Sequence, residues 1–392
     1  MVDKADSALR HRVRAAMAEL KRGATQSALA MLNDLEQQEP ADPQIKLDKA
    51  LALRLQGNLA AALAALDAAL AIDPYFFLAL LSKGSVLEQM GKRRVAAQVY
   101  RNALRIAPRP EYTPAAFEEP IRSARRLVEE DGRDQAGYLR ERLGDLRTRF
   151  AQERLERIDE CVDIMAGTKR VYNAEPVQMH VPRLPAIPFF DRGHFPWLPQ
   201  LEAHTDAIRQ ELSVLLAEGL PGFAPYVDYE PGTPENQFRE LNRSDRWSSL
   251  WLWRDGKRQE PAIARCPHTA GVLEQLPLAD QPGFAPTALF SVLAAHTRIP
   301  PHTGSTNARL VVHLPLILPG PARFRVGNEY REWRIGEAWA FDDTIEHEAW
   351  NDADEKRVIL IFDIWNPLLS AAERQMICVL LAARQEWLQQ VT

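Results

Sequence analysis

Cysteine is scarce in this sequence. Cys161, Cys266 and Cys378 are widely separated and form no C-x-x-C pair. A disulfide framework and a structural zinc knuckle are therefore not expected. Dispersed cysteines of this kind are typical of a reducing compartment, and the sequence predicts a cytoplasmic protein.

Long apolar runs and an excess of one charge are missing as well. No uninterrupted apolar stretch reaches about 18 residues, and the first residues contain no apolar segment suited to a signal peptide. The formal net charge is −5. Membrane insertion and nucleic-acid binding are therefore not expected. A chain of 392 residues is long enough for two or three domains.

The first hundred or so residues contain a repeat with a period of 34 residues. Small residues and prolines recur at this period in the series Gly23, Gly57, Gly91; Ala28, Ala62, Ala96; Ala16, Ala50, Gly84; and Pro40, Pro74, Pro108. The period is that of the tetratricopeptide repeat, in which small residues let two antiparallel helices approach closely. An all-α solenoid is predicted over residues 1–108. Its groove is expected to hold a peptide or protein, and a dimerisation surface or a rigid spacer is the alternative.

Residues 109–170 are predicted to form a helical connector. Apolar residues follow one another at steps of four, three and four at Leu139, Leu143, Leu146 and Phe150. This spacing is typical of an amphipathic helix, and one such helix is expected across that stretch.

Residues 171–392 are predicted to be rich in β-strands. The segments "ARLVVHLPLIL" and "KRVILIFDIW" read as strands, and "RFRVGNEYREW" reads as a hairpin around Gly327-Asn328. Short strands separated by turn residues favour a barrel or jelly roll. Ser370 and Glu373 have the spacing of a capping box and predict that a helix closes the chain. The expected fold is α+β, with a helical solenoid before a cupin-like double-stranded β-helix and flanking helices.

Histidine is concentrated within this β-rich region. Four of the nine histidines lie between residues 296 and 347: His296, His302, His313 and His347. Neutral imidazole is the commonest protein ligand of transition metals. In many non-haem iron enzymes a carboxylate two residues after the first histidine completes the ligand set, but glycine stands there in "HTG".

Three segments carry a resemblance to a known family: "PHTGSTNARLVVHLPL", "GEAWAFDDTIEHEAWN" and "KRVILIFDIWNP". Together they resemble the aspartyl/asparaginyl β-hydroxylase family of iron(II)- and 2-oxoglutarate-dependent dioxygenases. That family lacks the usual carboxylate ligand and holds iron with two histidines. The resemblance implies that His302 and His347 are the catalytic iron ligands. Four neighbouring acids are expected to orient the His347 imidazole rather than bind the metal: Asp342, Asp343, Glu346 and Glu348.

The resemblance also implies a site for 2-oxoglutarate. Five residues are assigned to it: Trp247, Ser291, Arg309, His313 and Arg357. A doubly charged keto diacid calls for a buried cation, and a guanidinium pairs with a carboxylate in a two-pronged geometry that lysine cannot imitate. By the resemblance, Arg357 and Ser291 contact the distal carboxylate and His313 the carboxylate beside the keto group. Trp247 is expected to line the pocket.

One departure from the family pattern concerns the substrate. Members that hydroxylate aspartyl residues carry a second arginine two residues after the position of Arg309, where this chain has Val311. Recognition of an acidic side chain is therefore not carried over with the rest of the motif.

The sequence thus predicts a dioxygenase that uses iron(II), 2-oxoglutarate and dioxygen and releases succinate and carbon dioxide. The expected substrate is a peptide or protein of the Asp/Asn type, or a small amino-acid-like molecule. Two alternatives stay open. One is a catalytically inactive adaptor built on the repeats, and the other is a cupin-like metalloenzyme that does not use 2-oxoglutarate.

Overall fold

The computed structural model describes residues 2–109, 112–234, 236–281 and 283–389. The chain divides into two compact units, Met1–Arg170 and Val171–Thr392. Within the described residues, no helix combines the length and apolar character needed to cross a membrane.

Helix pairs build the first part of the N-terminal unit. The helices are α1 (Val2–Lys21), α2 (Thr25–Gln38), α3 (Pro43–Leu55), α4 (Leu59–Ile72), α5 (Phe77–Gln89) and α6 (Arg93–Arg105). The starts of α2, α4 and α6 repeat the 34-residue period, as do the starts of α3 and α5. Gly23, Gly57 and Gly91 turn the chain between paired helices with φ of +80°, +77° and +73°, which a side chain would disfavour. The predicted tetratricopeptide repeats are confirmed.

Small residues allow the paired helices to pack closely. Ala28, Ala62 and Ala96 are fully buried. Gly84 on α5 lies directly against the ring of Tyr100 on α6, and a Cβ atom at this position would overlap that ring. The small residues that recur in the sequence therefore mark positions where neighbouring helices of the N-terminal unit are in contact.

The connector differs from the sequence expectation. Its helices are α7 (Ala115–Arg142), α8 (Gly144–Arg149) and α9 (Glu156–Ala166). The prediction of one amphipathic helix through Leu146 and Phe150 is wrong, because α7 ends before Gly144 and these two side chains are 51% and 46% exposed. After α8 the chain turns back, so that α9 packs on α7 through Ala136 and Val162.

The C-terminal unit contains two antiparallel sheets and flanking helices. Its strands are β1 (Ala224–Pro225), β2 (Trp247–Arg254), β3 (Lys257–Arg258), β4 (Ala288–Leu293), β5 (Thr297–His302), β6 (Arg309–Ile317), β7 (Ala322–Val326), β8 (Glu329–Glu332), β9 (Trp339–Phe341), β10 (His347–Asn351) and β11 (Arg357–Trp365). Its helices are α10 (Leu198–Ala203), α11 (Thr205–Ala217), α12 (Glu260–Arg265), α13 (Pro267–Leu273) and α14 (Ala371–Gln389).

The strand order is that of a double-stranded β-helix. The large sheet has the order β1-β2-β4-β11-β6-β9, with β3 added to β2, and the small sheet has the order β5-β10-β7-β8. From β4 to β11 the chain passes repeatedly from one sheet to the other, which is the arrangement of a jelly roll. The predicted α+β fold class is confirmed. So are the hairpin at Gly327-Asn328, between β7 and β8, and the capping box of Ser370 and Glu373.

The two faces of the large sheet have different neighbours. On β11, Val358, Leu360, Phe362 and Ile364 join a core that includes apolar residues of α10, α11, α12 and α13. Because side chains alternate along a strand, the residues between them point to the opposite face. Arg357, the first residue of the strand, shares that face with them, and together they line a cavity between the sheets.

The close approach at Gly84 can be tested by adding a single methyl group. Gly84→Ala should overpack α5 against Tyr100 and lower the stability of the N-terminal unit by about 1–3 kcal/mol. Gly137→Ala, the matched control, adds the same group inside α7 where nothing lies within 4 Å, and it should stabilise by about 0.5–1 kcal/mol. Urea unfolding of the full chain followed by circular dichroism measures both effects. A Gly84→Ala variant as stable as wild type would contradict the close packing.

Candidate functional site

Two histidines from distant parts of the sequence face each other in the small sheet. His302 ends β5 and His347 begins β10, and the two residues are direct partners in the antiparallel register. Their ring centroids are 4.0 Å apart. Partners in such a register present their side chains on the same face of the sheet, so both imidazoles enter the same cavity.

Local hydrogen bonds fix the orientation of both rings. Nδ1 of His302 lies 2.7 Å from the carbonyl oxygen of Pro300, and Nδ1 of His347 lies 3.0 Å from that of Ile345. A carbonyl only accepts, so each Nδ1 carries the hydrogen and each Nε2 keeps a free lone pair. Burial lowers the pKa of His302 and, more strongly, that of His347. Both shifts favour the neutral ring, which is the form that binds a metal.

The space beside Gly304 is taken by Asp343. A Cβ atom on Gly304 would overlap the Asp343 carboxylate, so any larger residue would displace that group. Asp343 is partly buried and lines the cavity, and burial, followed by the charge of Asp342, raises its pKa to about 7. Among the described residues, no group of three or more His, Cys, Asp and Glu side chains has the arrangement of a metal site.

The expectation that neighbouring acids orient His347 is wrong, since its Nδ1 donates to a backbone carbonyl. Glu348 forms ion pairs with Arg298 and Arg325, and Glu346 pairs with Arg325 as well. Asp342 accepts hydrogen bonds from Thr344. Glu348 does not contact the His347 ring because side chains alternate along a strand. Glu348 follows His347 on β10 and therefore points to the opposite face.

Arg357 is a buried cation at the deep end of the cavity. It is 1% exposed, its guanidinium lies 4.5 Å from the ring centroid of Trp333, and its Nε and Nη1 atoms have no hydrogen-bond partner. Burial lowers its pKa. A buried guanidinium with unpaired donors is costly for the protein alone. An anion bound there would remove that cost.

Three further residues surround this end. Ser291 is 1% exposed and accepts a hydrogen bond of 3.1 Å from Nε1 of Trp247, so its own hydroxyl hydrogen remains to be donated. His313 packs between Phe324 and Phe341 at centroid distances of 5.0 and 4.8 Å, and its Nδ1 has no partner. Burial and the charge of Arg357 lower the pKa of His313. These donors and the guanidinium fit a dicarboxylate such as 2-oxoglutarate.

Arg309 occupies the outer part of the same cavity, where it is paired through Nη1 while its buried Nε has no hydrogen-bond partner. Its Nη1 donates to Asp363 at 2.5 Å and to the carbonyl oxygen of Phe284 at 3.0 Å. Asp363 also accepts a hydrogen bond of 2.8 Å from the backbone of Thr287, and burial raises its pKa to about 6. Arg309 therefore lies apart from the unpaired Arg357, and its role in cosubstrate binding remains a prediction.

The structure brings all the sequence-predicted site residues together. A cavity of about 850 Å³ is lined by His302, His347, Trp247, Ser291, Arg309, His313 and Arg357. The sequence predicted no role for Asp363 or Trp333. It predicted that Asp343 orients His347, whereas the Asp343 carboxylate fills the space beside Gly304. Asp363 had a sequence signal, since it is a charged residue inside an otherwise apolar strand. Trp333 had none, because its contact with Arg357 depends on the path of the chain after β8.

The C-terminal unit is similar in sequence to known proteins. The family model described as aspartyl/asparaginyl beta-hydroxylase matches residues 202–367. The ornithine lipid ester-linked acyl 2-hydroxylase of Rhizobium tropici is 34% identical over 204 residues, which are 51% of this chain and 68% of that protein. The human aspartyl/asparaginyl beta-hydroxylase is 32% identical over 184 residues, which are 46% of this chain but only 24% of that protein.

The N-terminal unit also has solved structural neighbours. The Sgt2 TPR domain from Aspergillus fumigatus is 18% identical and covers 32% of this chain and 82% of its own. Its TM-score is 0.28. The matches that identify the family lie in the C-terminal unit. They are the family model and the Rhizobium tropici relative, of which this chain covers more than two thirds. The chain belongs to the aspartyl/asparaginyl beta-hydroxylase family.

Proposed function

We propose that this protein is an iron(II)- and 2-oxoglutarate-dependent dioxygenase that replaces a C–H bond of its substrate with C–OH. The observation that carries the proposal is the combination of two groups in one cavity. His302 and His347 present free Nε2 atoms side by side, and Arg357 offers unpaired donors in the same space. Membership in a family of hydroxylases supports the same reaction class.

The residues would divide the work as follows. Iron(II) held by His302 and His347 would supply oxygen activation, in which 2-oxoglutarate and dioxygen yield succinate and carbon dioxide and one oxygen atom enters the substrate. Arg357 would pair with the distal carboxylate of the cosubstrate, and Ser291 would donate its hydroxyl hydrogen to the same group. His313 would contact the other carboxylate. Two neutral protein ligands leave coordination positions for the cosubstrate and oxygen.

The substrate is a separate question. The two relatives described above are named for different substrates, an ornithine lipid in one case and aspartyl or asparaginyl residues in the other. A peptide or protein substrate held by the tetratricopeptide groove is the proposal drawn from the repeats.

The two rival functions, an inactive adaptor and a metalloenzyme without 2-oxoglutarate, predict that the cavity binds no keto acid.

The metal ligands can be tested by optical spectroscopy. Anaerobic addition of iron(II) and 2-oxoglutarate should produce the weak visible band of the chelate, because the keto acid binds through its carboxylate and keto oxygens. His302→Ala and His347→Ala should each abolish the band. His296→Ala is the matched control, since that ring is 66% exposed and bonds Asp354 at 2.9 Å, and it should leave the band intact. A band that survives loss of either proposed ligand refutes the assignment.

Cosubstrate recognition can be tested at Arg357. Arg357→Ala should weaken 2-oxoglutarate binding by about 2–5 kcal/mol, because one partner of a buried charge pair is removed. Arg323→Ala removes an arginine whose side chain is 51% exposed and that pairs with Asp352 outside the cavity, and it should leave the affinity unchanged. Isothermal titration with 2-oxoglutarate and a redox-inert divalent metal measures both. Equal affinities for the two variants would contradict the role of Arg357.

A further inference from the structure

Helix α14 packs on the C-terminal unit through one face. Its side chains Ile377 and Leu381 are buried in a small core that also contains Trp365 and Leu369. These contacts hold the helix against the segment that follows β11. Because the helix has a second apolar face that takes no part in this core, the fold of the C-terminal unit does not account for the whole helix.

The second apolar face of α14 is exposed. Met376, Val379, Leu380 and Trp387 are 71%, 69%, 59% and 64% exposed, and Ala383 is exposed between them. Steps of three, one, three and four residues place all five on one side of a helix. We call these five residues the α14 stripe. A continuous exposed apolar patch of this kind is typical of an interaction surface.

The charges of α14 do not suit a lipid surface. The helix contains two basic residues, Arg374 and Arg384, and two acidic residues, Glu373 and Glu386. Helices that lie in a membrane interface are usually rich in lysine and arginine on their polar face, which attracts anionic head groups. Since α14 has no excess of positive charge, a protein surface is the better partner for the stripe.

The charged residues beside the α14 stripe fit a second copy of the same helix. Glu373 and Arg384 are eleven residues apart, which is close to three helical turns, so they flank the stripe on the same side. If two copies pack antiparallel about a two-fold axis near Val379 and Leu380, Glu373 of each copy lies near Arg384 of the other. A parallel pair would instead place like charges together.

Both partners in this ion pair are available. The capping bonds from Ser370 go to Oε2 of Glu373, so Oε1 can accept from an arginine of the second copy. Arg384 is exposed. The antiparallel arrangement therefore adds two ion pairs to the apolar contact without disturbing the start of α14.

The area of the α14 stripe is sufficient for a weak symmetric contact. Its exposed side chains present about 500 Å² per copy, so a pair would bury on the order of 1,000 Å², the size at which specific interfaces begin. A two-fold contact uses the same patch on both copies and needs no complementary surface elsewhere on the chain. We expect an interface of this size to form at micromolar concentrations.

We propose that the α14 stripe is a homodimer interface, in which two copies of this chain pair antiparallel through α14. Val379 and Leu380 lie at the centre of the contact, and Glu373 and Arg384 set the antiparallel direction. The inference concerns assembly and does not depend on the proposed function.

The first test places a charge at the centre of the stripe. Sedimentation velocity of the full chain at rising concentration should show wild type passing from one chain to two. Val379→Arg should raise the dissociation constant by about tenfold or more, because the two-fold axis brings two guanidiniums together in an apolar contact. The matched control is Val214→Arg on α11, where the side chain is 49% exposed, and it should dimerise like wild type.

The second test reverses one charge at the edge of the stripe. Arg384→Glu should raise the dissociation constant about tenfold, because two attractive pairs become two repulsive ones. Adding Glu373→Gln to that variant should recover part of the affinity, since it removes the repulsion and glutamine can still complete the capping box. A role of Arg384 within its own chain would not be relieved in this way. This pair of variants decides the question if Val379→Arg does not fold.

Three results would overturn the proposal. One is a wild-type protein that stays a single chain up to about 100 µM, well above the expected micromolar range. Another is a dimer whose dissociation constant is the same in wild type, Val379→Arg and Arg384→Glu, because the contact would then lie elsewhere. The third is flotation of wild type, but not of Val379→Arg, with vesicles of phosphatidylcholine and phosphatidylglycerol, because the stripe would then bind lipid.

Discussion

The pairing of β5 with β10 is the constraint on which the candidate site depends. It makes His302 and His347 register partners and brings their rings to 4.0 Å. A shift of the register by one residue would turn one imidazole to the opposite face of the sheet. The backbone carbonyls of Pro300 and Ile345 then fix each ring and its tautomer. The proposed metal site thus depends mainly on main-chain geometry, which places and orients the two imidazole rings.

In the large sheet, alternate residues of the same strand have different roles. One set packs in the hydrophobic core, and the other set lines the cavity. On β11, Val358 and Leu360 enter the core against the helices, while Arg357, Ile361 and Asp363 face the cavity. Moving a residue between these faces would damage both functions at once, because a charge would enter the core or a core side chain would leave it.

Much of this could be predicted from the sequence, because it depends on local patterns. The repeat period gave the helix pairs, and the histidine, arginine and serine positions gave a set of residues that the fold gathers in one cavity. Contacts between distant residues could not be predicted in this way. Asp343 fills the space beside Gly304, and Asp363 neutralises Arg309. Both depend on how loops and strands meet, which no spacing in the sequence encodes.

The central claim is that two imidazoles hold one metal ion with room left for a keto acid that reaches Arg357. A crystal structure of the protein grown anaerobically with iron(II) and 2-oxoglutarate tests it most directly. The expected result is one metal ion bonded to Nε2 of both His302 and His347, with the distal carboxylate of the cosubstrate on Arg357. A metal bound elsewhere, or a third protein side chain occupying the position of the keto acid, would contradict the claim.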